Sequence, residues 1–321
     1  MTTTMTTRAL GTTGLAITPL GFGAWAIGGD AWKFGWGPQD DADSIAAIHR
    51  ALELGINWID TAAAYGFGHS EEVVARALDG LAEPPLIFTK CGLVPSGESD
   101  GGTREDITRA SIVAECEASL RRLRVEAIDL YQIHWPTDEL ADIDEGWAAM
   151  VELRAAGKVR HIGVSNFSVP ELERARRIAA VETLQPPYSL VRDDFGRGLA
   201  EYCREWKLGV IVYSPMQSGL LTGAMTPERA RALPTSDWRS RNAEFREPKL
   251  TRNLALVERL REVGARYGRS PGEVAIAWTL RDPVVGGAIV GARTSSQVEG
   301  IVAAGTLVLD AADLARIGDA D

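Results

Sequence analysis

Ile56-Asn57-Trp58-Ile59-Asp60, Leu86-Ile87-Phe88-Thr89-Lys90 and Ile128-Asp129-Leu130-Tyr131-Gln132-Ile133-His134 are three short β-rich runs, and each ends on a titratable side chain. β-Branched and aromatic residues favour the pleated strand, and short apolar runs bounded by turn signals read as buried strands. Working outward, runs of the same kind recur at 20–23, 159–165, 183–185, 210–214 and 288–290. Amphipathic helical patterns separate them, at 41–54, 70–81, 103–122, 145–156, 170–178, 198–206 and, as a longer pair, 250–280. In the first, Ser44 leads and Ile45, Ile48, Ala51 and Leu52 share one face. Strict alternation of strand and helix implies a parallel sheet, and eight units imply a closed α/β barrel, the (β/α)8 TIM barrel. Ahead of it, residues 8–11 and 15–18 flank Thr12-Thr13-Gly14 and read as an N-terminal β-hairpin.

A doubly wound nucleotide fold would place G-x-G-x-x-G between a first strand and helix. The nearest candidate, Gly21-Phe22-Gly23-Ala24-Trp25-Ala26, lacks the third glycine and leads into a tryptophan-rich loop. No repeat, linker or low-complexity segment divides the chain, so residues 1–321 are expected to form one domain, with 1–7 frayed. The one long irregular stretch, 216–248, is expected to be functional or mobile.

The chain has 321 residues, 45% of them hydrophobic, enough for a sizeable core. A net charge of -10 argues against nucleic acid or an anionic membrane as partner, although a local arginine cluster can still hold a small anion. The three scattered cysteines, Cys91, Cys116 and Cys203, fit reduced thiols, with Cys91 a packing residue rather than a nucleophile. No run reaches the ~18 apolar residues of a membrane span, and the threonine-rich start lacks a signal peptide's apolar core. A cytoplasmic location is expected. His49, His69, His134 and His161 show no metal-ligand spacing, so no metal is expected.

A parallel barrel gathers its strand ends on one face, where active sites are built. Asp60, Lys90, His134, Ser165, Gln185 and Tyr213 fall at those ends, with Tyr65 in the turn after Asp60. A buried ammonium needs a partner, and Asp60 can neutralise and orient Lys90. Lys90 is then expected to lower the Tyr65 phenol from its ordinary pKa near ~10, and His134 to polarise or orient a carbonyl oxygen beside it. The four residues read as an acid–base site.

The residues around these four resemble the aldo-keto reductases. Asp60-Thr61-Ala62-Ala63-Ala64-Tyr65-Gly66, followed by Gly68-His69-Ser70-Glu71-Glu72, is similar to the family's D-T-A-x-x-Y-G-x-G-x-S-E-E signature. Thr89-Lys90-Cys91-Gly92 and Tyr131-Gln132-Ile133-His134-Trp135-Pro136 resemble its lysine and histidine strands. Val159-Arg160-His161-Ile162-Gly163-Val164-Ser165-Asn166-Phe167 and Tyr213-Ser214-Pro215 resemble its cofactor strands. The likeness runs in order from about Gly11 to about Gln297 and implies an NADPH-dependent oxidoreductase that reduces aldehydes or ketones. Tyr65 would be the proton donor, Lys90 and Asp60 would tune it, and His134 would orient the substrate.

The resemblance also implies cofactor contacts. Ser165, Asn166 and Gln185 would bind the nicotinamide carboxamide, and Tyr213 would stack on the ring. Ser214, Pro215, Met216, Gly219 and Leu221 would pass along the pyrophosphate, with Gly23, Trp25 and Asp60 nearby. Gly291, Arg293 and Gln297 lie in a stretch similar to G-A-R-x-x-x-Q-V-x, opening a helix whose N-terminus favours phosphate, and Arg293 would pair with a 2′-phosphate. The chain departs from the family at Gly300-Ile301, where Glu-Asn is usual, and at Ala224, where lysine is common. The cofactor that the resemblance implies is NADP (as NADPH) or, second, NAD. Trp25, Tyr65, His134 and Trp135 would contact substrate. Trp25, Trp32, Phe34 and Trp36 either wall an apolar carbonyl or sugar site or pack a loop on the rim. The rival readings are an NAD-linked sugar or alcohol dehydrogenase and a cofactor-sensing subunit with poor turnover.

Overall fold

The computed structural model describes residues 5–99, 101–196 and 198–318. Of the amino-terminal stretch expected to fray, residues 1–4 lie outside the described residues, and the Met5 side chain is buried. Strands β1 (Arg8–Ala9) and β2 (Ala16–Ile17) form the expected antiparallel hairpin, with Arg8 opposite Ile17. Beyond it lie β3 (Leu20–Gly23), β4 (Trp58–Asp60), β5 (Leu86–Cys91), β6 (Leu93–Pro95), β7 (Thr103–Glu105) and β8 (Ile128–Ile133). The remaining strands are β9 (Val159–Ser165), β10 (Thr183–Gln185), β11 (Gly209–Val212) and β12 (Val285–Gly291). Eight of them close into a parallel barrel in the order β10-β11-β12-β3-β4-β5-β8-β9. The sheet is sealed where Ala288 of β12 pairs with Leu20 of β3.

The hairpin underlies the barrel. Leu10 and Ile17 pack with Trp58, Phe88, Leu130, Ile211 and Ile289 as one buried cluster. Trp58 is fully buried, and its indole N–H donates to the Thr18 carbonyl at 2.9 Å, so the largest side chain of this layer leaves no orphan donor. Gly21 makes room for it, because a Cβ there would fall 2.2 Å from the indole. Outside the sheet, helix faces bury Ile48, Val74, Ile112, Trp147, Val257 and Ile276 in a larger core. Each fully buried aliphatic residue contributes about 1.5–3 kcal/mol.

Several helix boundaries differ from the sequence reading. The first helix, Asp41–Glu53, is capped by Asp40, and Ser44 lies buried within it, donating to the Asp40 carbonyl at 2.9 Å. The helix expected from 103 starts at Arg109, capped by Thr108, because residues 103–105 pair with 93–95 in a second hairpin. The helix expected from 145 starts earlier, at Leu140. The 250–280 pair divides into Lys249–Tyr267 and Pro271–Thr279, separated by left-handed Gly268 and a Ser270–Glu273 capping box. The irregular 216–248 stretch is built from single turns and the short helix Pro227–Arg231. It reaches the β3 loop through an antiparallel bridge between Trp36 and Asp237 and a Trp238 N–H bond to the Gly35 carbonyl at 3.1 Å.

Candidate active site

A cleft of about 790 Å³ opens at the C-terminal ends of the barrel strands. Its reactive corner is set by register. Asp60 ends β4, and Lys90 lies near the end of β5, opposite Gln132 of β8. His134 follows β8, its backbone N–H donating to the Cys91 carbonyl at 2.8 Å. Tyr65 sits in the turn after β4, where its main chain packs against Gly28; a Cβ on Gly28 would fall 2.9 Å from the Tyr65 carbonyl carbon.

Lys90 Nζ donates to Asp60 Oδ1 at 2.5 Å and to the Thr61 carbonyl at 2.9 Å, and lies 3.4 Å from Tyr65 Oη. Gln185 Nε2 donates to the other Asp60 oxygen at 2.9 Å. The His134 ring stands edge-on to Tyr65, with centroids 5.7 Å apart and planes at 77°. Asp60 and Lys90 are almost wholly buried, while Tyr65 and His134 line the cleft. The lysine is thus a buried cation behind the phenol, held by three oxygens of which one carries its countercharge.

Burial controls the protonation of this corner. It raises the Asp60 carboxyl and lowers the Lys90 ammonium, while their mutual attraction works against both shifts. Burial, aided by the Asp60 charge, raises the Tyr65 phenol well above its ordinary value. The expectation that Lys90 lowers that phenol is therefore reversed: Asp60, at 2.5 Å, largely cancels the ammonium, and a phenolate here has little water to solvate it. Tyr65 is held as a protonated acid. Burial, then the Lys90 charge, lowers His134 well below its ordinary value, so the imidazole is neutral. The arrangement is a neutral acid and a neutral polar ring facing a cleft, backed by a cation that can stabilise the phenolate once its proton has gone.

A second polar chain lines the neighbouring wall. Asn166 Nδ2 donates to the His134 carbonyl at 2.9 Å and to Ser165 Oγ at 3.0 Å, and Tyr213 Oη donates to Asn166 Oδ1 at 2.7 Å. Ser165 Oγ donates to the Gln185 carbonyl at 2.8 Å. Past Tyr213, the backbone turns left-handed at Ser214, Gln217, Ser218 and Gly219, with φ of 56°, 47°, 54° and 86°. The left-handed conformation costs a non-glycine residue on the order of 1–3 kcal/mol, and such strain clusters at ligand-binding segments.

Of the residues singled out from sequence, Gly23, Trp25, Asp60, Tyr65, His134, Trp135, Ser165, Asn166, Gln185, Tyr213, Ser214, Pro215, Met216, Gly219, Gly291, Arg293 and Gln297 all line the cleft. Lys90 lies directly behind it. Leu221 does not line it: its side chain is fully buried in the apolar core, as its hydrophobicity dictates. Arg293 is at the rim, but its guanidinium is committed to the β3 loop. Nε meets Gln39 Oε1 at 2.5 Å, Nη1 the Trp36 carbonyl at 3.2 Å, and Nη2 the Pro38 carbonyl. The helix after it is only Ser295–Glu299, and Thr294 caps it, so its N-terminus is closed by the chain itself.

Ser218, within the stretch expected along the pyrophosphate, also lines the cleft, as do Arg229 and Arg239 of the irregular stretch. Arg239 is the most informative. It is paired with buried Asp237 at 2.6 Å, lies 4.5 Å over the Trp36 ring and meets the Ser218 carbonyl at 3.4 Å. Its only signal in sequence was the Trp238-Arg239-Ser240-Arg241 run inside the irregular stretch. Trp25, Trp32 and Trp36 line the cleft, and Trp25 also stacks on Trp238 at 5.2 Å, joining the two loops. The three cysteines are buried, and burial raises their thiols, Cys116 to about 11 and Cys203 to about 12. Among the described residues no His, Cys, Asp and Glu group is placed to hold a metal ion, and no helix is long and apolar enough to cross a membrane.

A barrel with a Tyr-Lys-Asp acid group at its strand ends defines a class of oxidoreductase, and the Aldo/keto reductase family profile matches residues 19–321. The chain belongs to the aldo/keto reductase family, whose general chemistry is NAD(P)H-dependent carbonyl reduction. It is 39% identical to the aldo-keto reductase YhdN of Bacillus subtilis, over 90% of this chain and 85% of that protein. It is 33% identical to an NADH-specific methylglyoxal reductase of Escherichia coli, over 95% and 94%. Among solved structures, the glycerol dehydrogenase AKR11B4 from Gluconobacter oxydans superposes with a TM-score of 0.85 at 36% identity, covering 97% of this chain and 93% of that one.

Proposed function

We propose that this protein reduces small aldehydes and ketones to alcohols with NADPH, Tyr65 giving the proton. The observation that carries the reading is the buried Asp60–Lys90 pair, with Lys90 3.4 Å behind a cleft-lining phenol. The bound cofactor supplies hydride to the carbonyl carbon. Ser165, Asn166 and Gln185 form the polar wall that would hold its carboxamide, Tyr213 offers an aromatic face, and Ser214, Pro215, Ser218 and Gly219 line the side along which a pyrophosphate would pass. Tyr65 Oη passes its proton to the carbonyl oxygen, and Lys90 stabilises the phenolate left behind. Neutral His134 orients the same oxygen from the side, and the surrounding indoles exclude water.

Three arginines, Arg229, Arg239 and Arg293, line the cleft of a chain whose net charge is -10, which supports the more highly charged cofactor. One observation favours NADH as a second reading: the Arg293 donors are spent on Gln39, Trp36 and Pro38, and Ala224, Gly300 and Ile301 line the same region without charge. Turnover of a panel of small aldehydes, ketones and hydroxyketones with each cofactor tests the proposal. Faster reduction with NADPH is expected; equal or faster reduction with NADH selects the second reading, and no reduction with either refutes both.

A further inference from the structure

Behind the cleft, inside the barrel, lies an amide that the acid–base chemistry leaves unexplained. Gln132 is fully buried on β8, in register with Lys90 on one side and Gly163 on the other. It does not line the cleft. A glutamine carries two donors and a two-lone-pair acceptor, so its complete burial in a barrel interior is costly unless another group needs it.

That group is Gln185. Its Nε2 has two protons; one goes to Asp60 Oδ2 at 2.9 Å, and the other faces Gln132 Oε1 at 3.4 Å. The two acceptors together decide which way the Gln185 amide is turned. Rotated end for end, it would set its carbonyl oxygen against the Asp60 carboxylate and against a second carbonyl, a repulsive arrangement on both sides. With the NH2 end fixed on Asp60 and Gln132, the carbonyl end of Gln185 is the end left for a ligand, and no hydrogen bond from the described residues reaches it. The carboxamide of a nicotinamide carries the N–H donor such an oxygen requires. Gln132 Nε2 itself is buried without a hydrogen-bond partner among the described residues, a desolvation cost that an apolar residue of the same size would avoid.

We propose that Gln132 is a positioning residue: by holding the Gln185 amide with its NH2 group on Asp60, it presents the Gln185 carbonyl oxygen to the nicotinamide end of the cofactor. The inference rests on the function proposed above and adds a residue to it. It joins carboxamide recognition to the acid–base pair through one chain, Gln132–Gln185–Asp60–Lys90. The Gln185 hydrogen bond also favours the charged form of Asp60, in the same direction as Lys90. Losing Gln132 therefore disturbs both ends of the chain at once.

The full-length protein is compared with Gln132→Met, which matches side-chain volume and removes both amide ends, and with Gln132→Glu, which keeps an acceptor toward Gln185. Dissociation constants are measured for NADPH, NADH and, as probes of the adenosine end alone, ADP and 2′,5′-ADP. The expected result for Gln132→Met is a three- to tenfold weaker affinity for both dinucleotides, unchanged affinity for both adenosine fragments, and a lower kcat for carbonyl reduction. Gln132→Glu is expected to bind the dinucleotides within about twofold of wild type, while its carboxyl beside Asp60 gives kcat a new dependence on pH. Fragment and dinucleotide affinities that fall together in Gln132→Met would make Gln132 merely structural. Wild-type affinities and kcat in that variant would remove it from the mechanism. If Gln132→Met fails to fold, a Gln132→Glu variant with weakened dinucleotide binding overturns the proposal on its own. A wild-type protein that binds the fragments but neither dinucleotide would refute the underlying function instead.

Discussion

Replacing Lys90 by methionine removes one charge from a buried pair and leaves its partner behind. Asp60 is 2% exposed; in Lys90→Met it keeps only the Gln185 donor at 2.9 Å and loses the ammonium at 2.5 Å. Removing one member of a buried ion pair costs about 3–5 kcal/mol, a large share of a domain's typical stability. The loss is expected to depend on pH in a defined direction. Burial already raises Asp60, and without Lys90 nothing comparable opposes that rise. A carboxyl whose folded pKa lies above its unfolded value makes the native state bind the extra proton, so stability falls as pH rises from the unfolded pKa near ~4 to the raised one. Each pH unit in that window is worth about 1.4 kcal/mol. Urea unfolding of wild type and variant at pH 5 and pH 8 measures both effects. The variant is expected to lose more stability at pH 8 than at pH 5. A loss below about 1 kcal/mol at both, or a larger loss at pH 5, would refute the claim that Asp60 is held as an anion by Lys90.

The remaining expectations concern binding and pH. Under the NADPH reading, Arg293→Ala raises the dissociation constant for NADPH roughly tenfold and leaves NADH nearly unchanged, as expected for a charge-assisted contact of about 1.5–3 kcal/mol. Equal weakening of both cofactors would mean that the guanidinium serves only to hold Trp36, Pro38 and Gln39. Because His134 is lowered well below its ordinary value and Tyr65 is raised well above its own, kcat for reduction is expected to stay level from about pH 6.5 to about pH 9. A limb centred near the ordinary histidine value would show that His134 titrates in the working range.

The barrel was legible because each strand announced itself by a short apolar run and each helix by its period; Asp60, Lys90 and His134 were legible because charge at the end of such a run is costly. Residues 103–105 were misread as helix because a three-residue strand carries no period, and only its pairing with 93–95 reveals it. Leu221 was placed in the cleft by motif position, while its apolar side chain turned to the core. The direction of the Tyr65 shift was beyond the sequence, since it depends on how far Asp60 cancels Lys90 and how completely water is excluded. The place of Arg239 beside Ser218 is fixed by Asp237 and Trp36, residues distant from the motifs around Asp60 and Tyr213, so no local pattern encodes it. Arg293 was found, but its commitment to the carbonyls of Trp36 and Pro38 is a tertiary contact that no local pattern encodes.

The central claim is that Tyr65 donates the proton in carbonyl reduction, and Tyr65→Phe tests it most directly because the ring remains while the proton is lost. NADPH oxidation with a small aldehyde is measured for both proteins, together with the dissociation constant for NADPH. The variant is expected to bind NADPH as wild type does and to lose a factor of about 10² or more in kcat, the ordinary weight of a general acid. Reduction by Tyr65→Phe at near the wild-type rate would contradict the account.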